Sequence, residues 1–148
     1  MSISLEHIIP AERVVFLKAT TKEGALREMV AVAAREPEVG DEAKLLEAIL
    51  EREKIMSTGI GLGIAVPHAK VPFVSDFIVS FGKAPEGLQF NSLDGNPVQF
   101  VVLIAGPEGE QERYLQLLAR ITLKLKEQSV RRQLSEAMDV DAILAALR

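Results

Sequence analysis

Apolar residues recur along this chain at two spacings, and the changes between them mark out the elements. Val14-Val15-Phe16-Leu17 is a short run of β-formers and predicts a strand. Leu26, Met29, Val30 and Ala33 then fall at helical period. Thr20 and Glu23 have capping-box spacing ahead of them, so the pattern predicts a helix from about Thr21 to Arg35. Pro37 and Gly40 end it. Asp41 is placed to cap a second helix, with Leu45, Ala48 and Ile49 on its apolar face and an end near Glu53. The glycine-rich stretch that follows reads as loop. Ile64-Ala65-Val66 and Phe77 to Gly82 read as strands.

Asp94-Gly95-Asn96-Pro97 is a turn signal leading into Val98 to Ala105. That run is apolar with scarcely a break, which predicts a central strand buried on both faces. Gly106-Pro107 ends it. Tyr114, Leu118, Ile121 and Leu125 mark one face of a long helix, and the stripe from Leu115 to Leu125 reads as core. Two shorter helices close the chain, the last from Asp139 to Leu147 with Asp139 as its cap. Helices and strands interleave without a second core or an internal repeat. The pattern predicts one α/β domain over residues 1–148, a mixed sheet sandwiched between helices.

Composition narrows the function more than the fold. At 148 residues the chain is long enough for one sizeable core. A net charge of −4 leaves no basic surplus to neutralise phosphates, so nucleic acid is not an expected partner. There is no cysteine, which removes disulfides, thiolate nucleophiles and cysteine metal sites, and suits a cytoplasmic protein. The longest apolar run, Phe100 to Ala105, is far too short to cross a membrane, so no membrane insertion is expected. Glu6 and Pro10 break up any signal-peptide layout at the N-terminus.

The chemistry concentrates in Ser57-Thr58-Gly59-Ile60-Gly61-Leu62-Gly63-Ile64-Ala65-Val66-Pro67-His68. The chain has two histidines. His68 sits where a buried segment meets a turn, whereas His7 reads as ordinary surface. Imidazole is the side chain whose neutral, nucleophilic form is well populated near pH 7. The glycines let backbone N–H groups approach a ligand closely. The segment is no P-loop, because no Gly-Lys-Ser/Thr ending follows, and its spacing is not Gly-x-Gly-x-x-Gly. Nothing resembles a nucleophile elbow around Ser57 or Thr58, and no second histidine or carboxylate cluster lies near enough in sequence for a metal site. What remains is His68 as a phosphoryl or acyl acceptor.

Arg52-Glu53, Ser57-Thr58-Gly59-Ile60-Gly61 and Ala65-Val66-Pro67-His68 together resemble the signature of enzyme IIA domains. The resemblance is to the fructose, mannitol and nitrogen-regulatory branch of the bacterial phosphoenolpyruvate-dependent phosphotransferase system. Lys22 to Leu26, Asp94 to Val98 and Leu115 to Ala119 are similar to segments that family places at the same points, and the resemblance runs from about Leu5 to the C-terminus. It implies the mannitol-type enzyme IIA fold. It implies that His68 accepts a phosphoryl group from the phosphohistidine of the carrier HPr or its nitrogen-branch analogue. The group then passes to a IIB domain in transport systems; in regulatory ones the partner is a target protein. The resemblance implies Arg52 as the cation that offsets charge in transfer, Thr58 as a second catalytic group, and Ser57, Gly59, Gly61 and Tyr114 as phosphoryl-binding positions, with Tyr114 beside His68. Ile60, Leu62 and Ile64 would form part of an apolar surround for the carrier. No metal or cofactor is implied, since the donor arrives activated. The chain departs from the family in one place. Many transport members carry a second histidine just before the Leu-x-Leu-Leu-Ala segment, and here that position is Tyr114, whose phenol stays neutral near pH 7. The tyrosine puts onward transfer in doubt, and the first reading is a phosphoacceptor of regulatory type. The alternatives are a binding module that keeps the fold without cycling phosphate, and a IIA subunit of a fructose- or mannitol-type transporter.

Overall fold

The structure, a computed structural model, describes Leu5 and residues 7–148. Its elements are β1 (Val14–Phe16), α1 (Lys22–Ala33), α2 (Glu42–Ile55), β2 (Gly59–Gly61), β3 (Ile64–Ala65) and β4 (His68–Val71), then β5 (Ile78–Leu88), β6 (Val98–Pro107), α3 (Gln111–Lys126), α4 (Gln128–Glu136) and α5 (Val140–Leu147).

Everything is registered on β6. It pairs antiparallel with β5 along one edge; on the other, β3 and β4 lie parallel to its first and second halves. β1 runs parallel beyond β5, and β2 runs antiparallel beyond β3, giving one open mixed sheet of six strands. Side chains alternate across a strand. Val101, Leu103 and Ala105 therefore enter the core beneath α1 and α2. Phe100, Val102 and Ile104 enter the core that packs against α3, α4 and α5. The expected sheet between helical layers is the one observed.

Local chemistry explains most boundaries. Asp41 accepts from the Lys44 N–H (3.0 Å) and Asp139 from the Ala142 N–H (2.8 Å), as expected of caps. The cap of α1 is Thr21, which accepts from Gly24, and not Thr20.

Four further details differ from the sequence expectation. The glycine stretch is partly strand: Gly59 to Gly61 form β2 and turn back into β3. β4 was not foreseen, because Pro67 and the polar His68 and Lys70 hide the inward-facing Ala69 and Val71. β5 continues to Leu88 past Pro85 and Gly87, with an irregular register after Lys83. The stripe on α3 is narrower than expected: Tyr114, Ile121 and Leu125 are buried and Leu118 partly so, but Leu115 and Leu123 are about half exposed.

This burial pattern makes a direct prediction. Leu103→Ala should lower the unfolding free energy by roughly 2–5 kcal/mol, since it empties a fully enclosed site. Leu123→Ala should cost less than about 0.5 kcal/mol. Urea denaturation midpoints of the two variants check both; equal losses would contradict the placement of Leu123.

Candidate functional site

β3 and β4 are two pieces of one strand interrupted at Val66-Pro67. Proline has no N–H to give a sheet, and the chain steps outward there while the Pro67 carbonyl still accepts from the Ile104 N–H (3.0 Å). Ladder pairing resumes at His68. Because Ala69 and Val71 point toward α1 and α2, His68 and Lys70 point the other way, toward α3.

The interruption frees the Val66 carbonyl to bind the imidazole. Nδ1 of His68 lies 3.0 Å from that oxygen. A carbonyl only accepts, so in the neutral ring Nδ1 carries the proton and Nε2 keeps its lone pair. The ring is half-buried and lies against Tyr114, with ring centroids 5.3 Å apart and planes tilted by 39°. Tyr114 is buried, which pushes its phenol pKa up, while the Arg52 charge works in the opposite direction. Lys70 bonds Gln111 and sits 4.6 Å from the centroid of the Tyr114 ring. Burial is the main reason the His68 pKa falls below its ordinary value. The Val66 carbonyl raises it, the Arg52 and Lys70 charges lower it, and the Glu53 carboxylate raises it.

Arg52, in the last turn of α2, acts electrostatically on both His68 and Tyr114. Its guanidinium donates to the Met56 carbonyl (2.9 Å), closing the end of its own helix. His68 and Tyr114 are thus in ring contact, with the Arg52 charge acting on both. The hydroxyls expected to bind a phosphoryl group are differently engaged. Ser57 donates to the Phe90 carbonyl and accepts from the Gly59 N–H (3.0 Å), which is the behaviour of a turn residue. Thr58 is buried and gives both its N–H (2.8 Å) and its hydroxyl hydrogen (2.7 Å) to Glu53.

Gly59 and Gly61 each have a packing reason to be glycine. A Cβ on Gly59 would stand 2.3 Å from the Ser92 hydroxyl oxygen. Gly61 has φ +97° and opens a turn in which Leu62 (φ +60°) and Gly63 (φ +76°) are also left-handed. Asp94 holds that turn by accepting from the Leu62 N–H (3.0 Å). Its own hydrogen bonds, from Asn96 first and Leu62 next, keep the Asp94 pKa low.

Ile60 and Leu62 are exposed, as an apolar docking surround requires, but Ile64 is fully buried under the sheet and takes no part in it. Ile55, Met56 and Leu93 extend the set of exposed apolar side chains. His7 is exposed and lines a cleft with Arg13, Asp76 and Arg113, whose walls do not include His68. Among the described residues, no three His, Asp or Glu side chains are grouped to hold a metal ion.

Sequence reasoning did not single out Glu53. It is buried and pairs with Lys22 at 2.8 Å. The signal was present, because both residues lie in segments that carry the family resemblance.

Comparison with known proteins assigns the family. The family model described as "Phosphoenolpyruvate-dependent sugar phosphotransferase system, EIIA 2" matches residues 7–148. The chain belongs to that family. It is 40% identical to the fructose-specific EIIABC component of Bacillus subtilis over 86% of its length, but spans only 20% of that larger protein. It is 36% identical to a nitrogen regulatory protein of Bradyrhizobium diazoefficiens, over 98% of this chain and 91% of that one. Among solved structures, the nitrogen regulatory protein IIA-Ntr from Neisseria meningitidis superposes with a TM-score of 0.89 at 26% identity, covering 97% of this chain and 99% of that one. The mannitol enzyme IIA of Escherichia coli, in complex with phosphorylated enzyme IIB, gives 0.81 at 30% identity, covering 93% and 95%.

The His68 environment predicts a pH response. An ordinary histidine titrates near pH 6.5. With the folded value below that, stability contributed by neutral His68 is complete above about pH 6.5 and is lost as pH falls through that value toward the folded pKa. In an NMR titration the His68 ring should show a midpoint below about 6.5. Tyr114→Ala, which admits water to the ring, should move the midpoint up. A wild-type midpoint at or above that of an unfolded histidine contradicts the arrangement.

Proposed function

We propose that this chain is a phosphoacceptor of the phosphoenolpyruvate-dependent phosphotransferase system, taking a phosphoryl group on His68 Nε2 from the phosphohistidine of HPr or its nitrogen-branch analogue. The observation that carries this reading is the hydrogen bond from His68 Nδ1 to the Val66 carbonyl, which leaves Nε2 as the nucleophile. The lone pair of Nε2 forms the new N–P bond as the donor's N–P bond breaks. The donor ring, protonated on its other nitrogen, leaves as neutral imidazole. His68 becomes a phosphoimidazolium whose Nδ1–H stays on Val66, and that carbonyl stabilises the new ring charge.

Burial keeps His68 neutral and ready before transfer. The transition state is loose and spreads charge over the phosphoryl oxygens, so positioning and a nearby cation supply most of the catalysis. Arg52 is that cation. Its contact with the Met56 carbonyl holds the guanidinium at the end of α2, where no carboxylate among the described residues pairs with it. The exposed Ile60 and Leu62 fit the apolar part of a carrier-docking surface. Full-length similarity to nitrogen regulatory proteins favours a regulatory role with a protein target, in the cytoplasm. No helix of the described residues is long and apolar enough to cross a membrane.

A second reading is a IIA subunit that passes the group on to a IIB domain. The 40% identity to the fructose component favours it, as does the complex that the mannitol relative forms with phosphorylated IIB.

Phosphoenolpyruvate, enzyme I and HPr or its analogue should label the protein with acid-labile phosphate. His68→Ala should abolish the label, and phosphorus–nitrogen NMR coupling should place it on Nε2. Arg52→Ala should slow labelling about ten- to a hundredfold, the cost of losing a charge-assisted contact of roughly 1.5–3 kcal/mol. Acid-stable label, or label that survives in His68→Ala, refutes the site. Absence of label with every carrier leaves the non-phosphorylated binding module.

A further inference from the structure

A glutamate in the last turn of a helix is misplaced by two criteria. The helix dipole is negative there, and taking a carboxylate out of water is costly. Glu53 meets both conditions: it lies three residues from the start of the α2 C-cap and is 8% exposed. Three donors compensate it. Lys22 Nζ approaches at 2.8 Å from the first turn of α1, and Thr58 supplies its N–H and its hydroxyl. Lys22 is itself held, over the Phe90 ring and against the Phe90 carbonyl.

The bonds continue beyond Thr58. The Thr58 carbonyl accepts from the Val66 N–H at 2.9 Å, and the Val66 carbonyl accepts from His68 Nδ1 at 3.0 Å. A single path of hydrogen bonds therefore runs Lys22, Glu53, Thr58, Val66, His68. The path acts on position, because the N–H and C=O of Thr58, and those of Val66, belong to successive peptide groups joined through a Cα. Each bond fixes the position of the next. Glu53 grips residue 58 at two atoms, which prevents it from turning about either bond.

We propose that Glu53 is a positioning residue for His68. It acts through Thr58 and Val66 to hold the imidazole in the Nδ1–H tautomer with Nε2 aimed outward. Lys22 is the counter-charge that lets a buried carboxylate do this. The assignment rests on His68 as phosphoacceptor for its meaning, but not for its measurement. It also gives Thr58 a different task from the one its sequence position suggested. Its donors face inward to Glu53, and its carbonyl faces Val66.

The test compares Glu53→Ala, Glu53→Gln and Glu51→Gln with the wild type. Glu51 is exposed, pairs with Lys54 and serves as the control for loss of one negative charge from the same helix. Folding of each is checked by its amide NMR spectrum. Ring nitrogen-15 shifts of His68 then report the tautomer ratio, and phosphorylation by the carrier reports kcat and KM separately. Glu53→Ala should populate the Nε2–H tautomer measurably and lower kcat roughly ten- to a hundredfold, with KM for the carrier little changed because Glu53 is buried. Glu53→Gln should retain part of the rate, since its amide oxygen still accepts from Thr58. Glu51→Gln should match the wild type. An unchanged tautomer ratio in folded Glu53→Ala overturns the proposal, as does a change confined to KM. If that variant does not fold, Glu53→Gln decides by the same two readings. If no carrier labels the wild type, the phosphoacceptor reading fails, and the tautomer ratio alone decides the role of Glu53.

Discussion

The double-sided burial of β6 is the constraint from which the site follows. Both faces of this strand are covered and both edges are paired, so its register dictates where every neighbour lies. β3 and β4 share one edge of it and cannot both continue as an unbroken strand through Pro67. The ladder opens for two residues and closes again. In that opening a backbone carbonyl is released from sheet bonding, and the imidazole of His68 takes it up. The site is thus a defect in a sheet, made affordable by the strength of pairing on either side.

Charge around the defect is arranged in two shells of opposite tendency. Burial, Arg52 and Lys70 favour a neutral ring; the Val66 carbonyl and Glu53 favour a charged one. A phosphoacceptor needs both. It must be neutral to attack, and it carries a ring charge once the N–P bond forms. The cations that oppose protonation also suit an incoming phosphoryl oxygen. The Val66 carbonyl on Nδ1 and the Glu53 charge suit the product.

Much of this was legible in the sequence, and the parts that were not share a cause. The apolar run from Val98 to Ala105 and the helical periods of α1 and α3 are local patterns, and they predicted the layers. Asp41 and Asp139 were readable as caps because capping is decided within four residues. His68 and Arg52 were readable through the motif. β4 was not, because its identity as a strand depends on residues 104–107, and its own composition alternates polar with small apolar groups. Glu53 was not singled out, since its burial and its pairing with Lys22 depend on another helix. Ser57 and Thr58 carried the right chemistry for a phosphoryl cradle, yet the directions of their hydrogen bonds are set by Phe90 and Glu53. Ile64 was apolar and near the motif, and strand alternation turned it inward.

The pairing of β4 with β6 also bears on when the proposed nucleophile comes into being. His68 is placed against Ile104, more than thirty residues later in the chain. On a ribosome the histidine emerges well before the strand that defines its setting, and long-range parallel pairing of this kind is slow to form. Until β6 docks, residue 68 has no fixed ring, no half-buried surround and no neighbour in Tyr114. A nascent or damaged chain therefore carries the motif without the reactivity. Phosphate on this histidine would certify that the domain has completed its fold, so that a partner reading the modification also reads the integrity of the molecule that bears it.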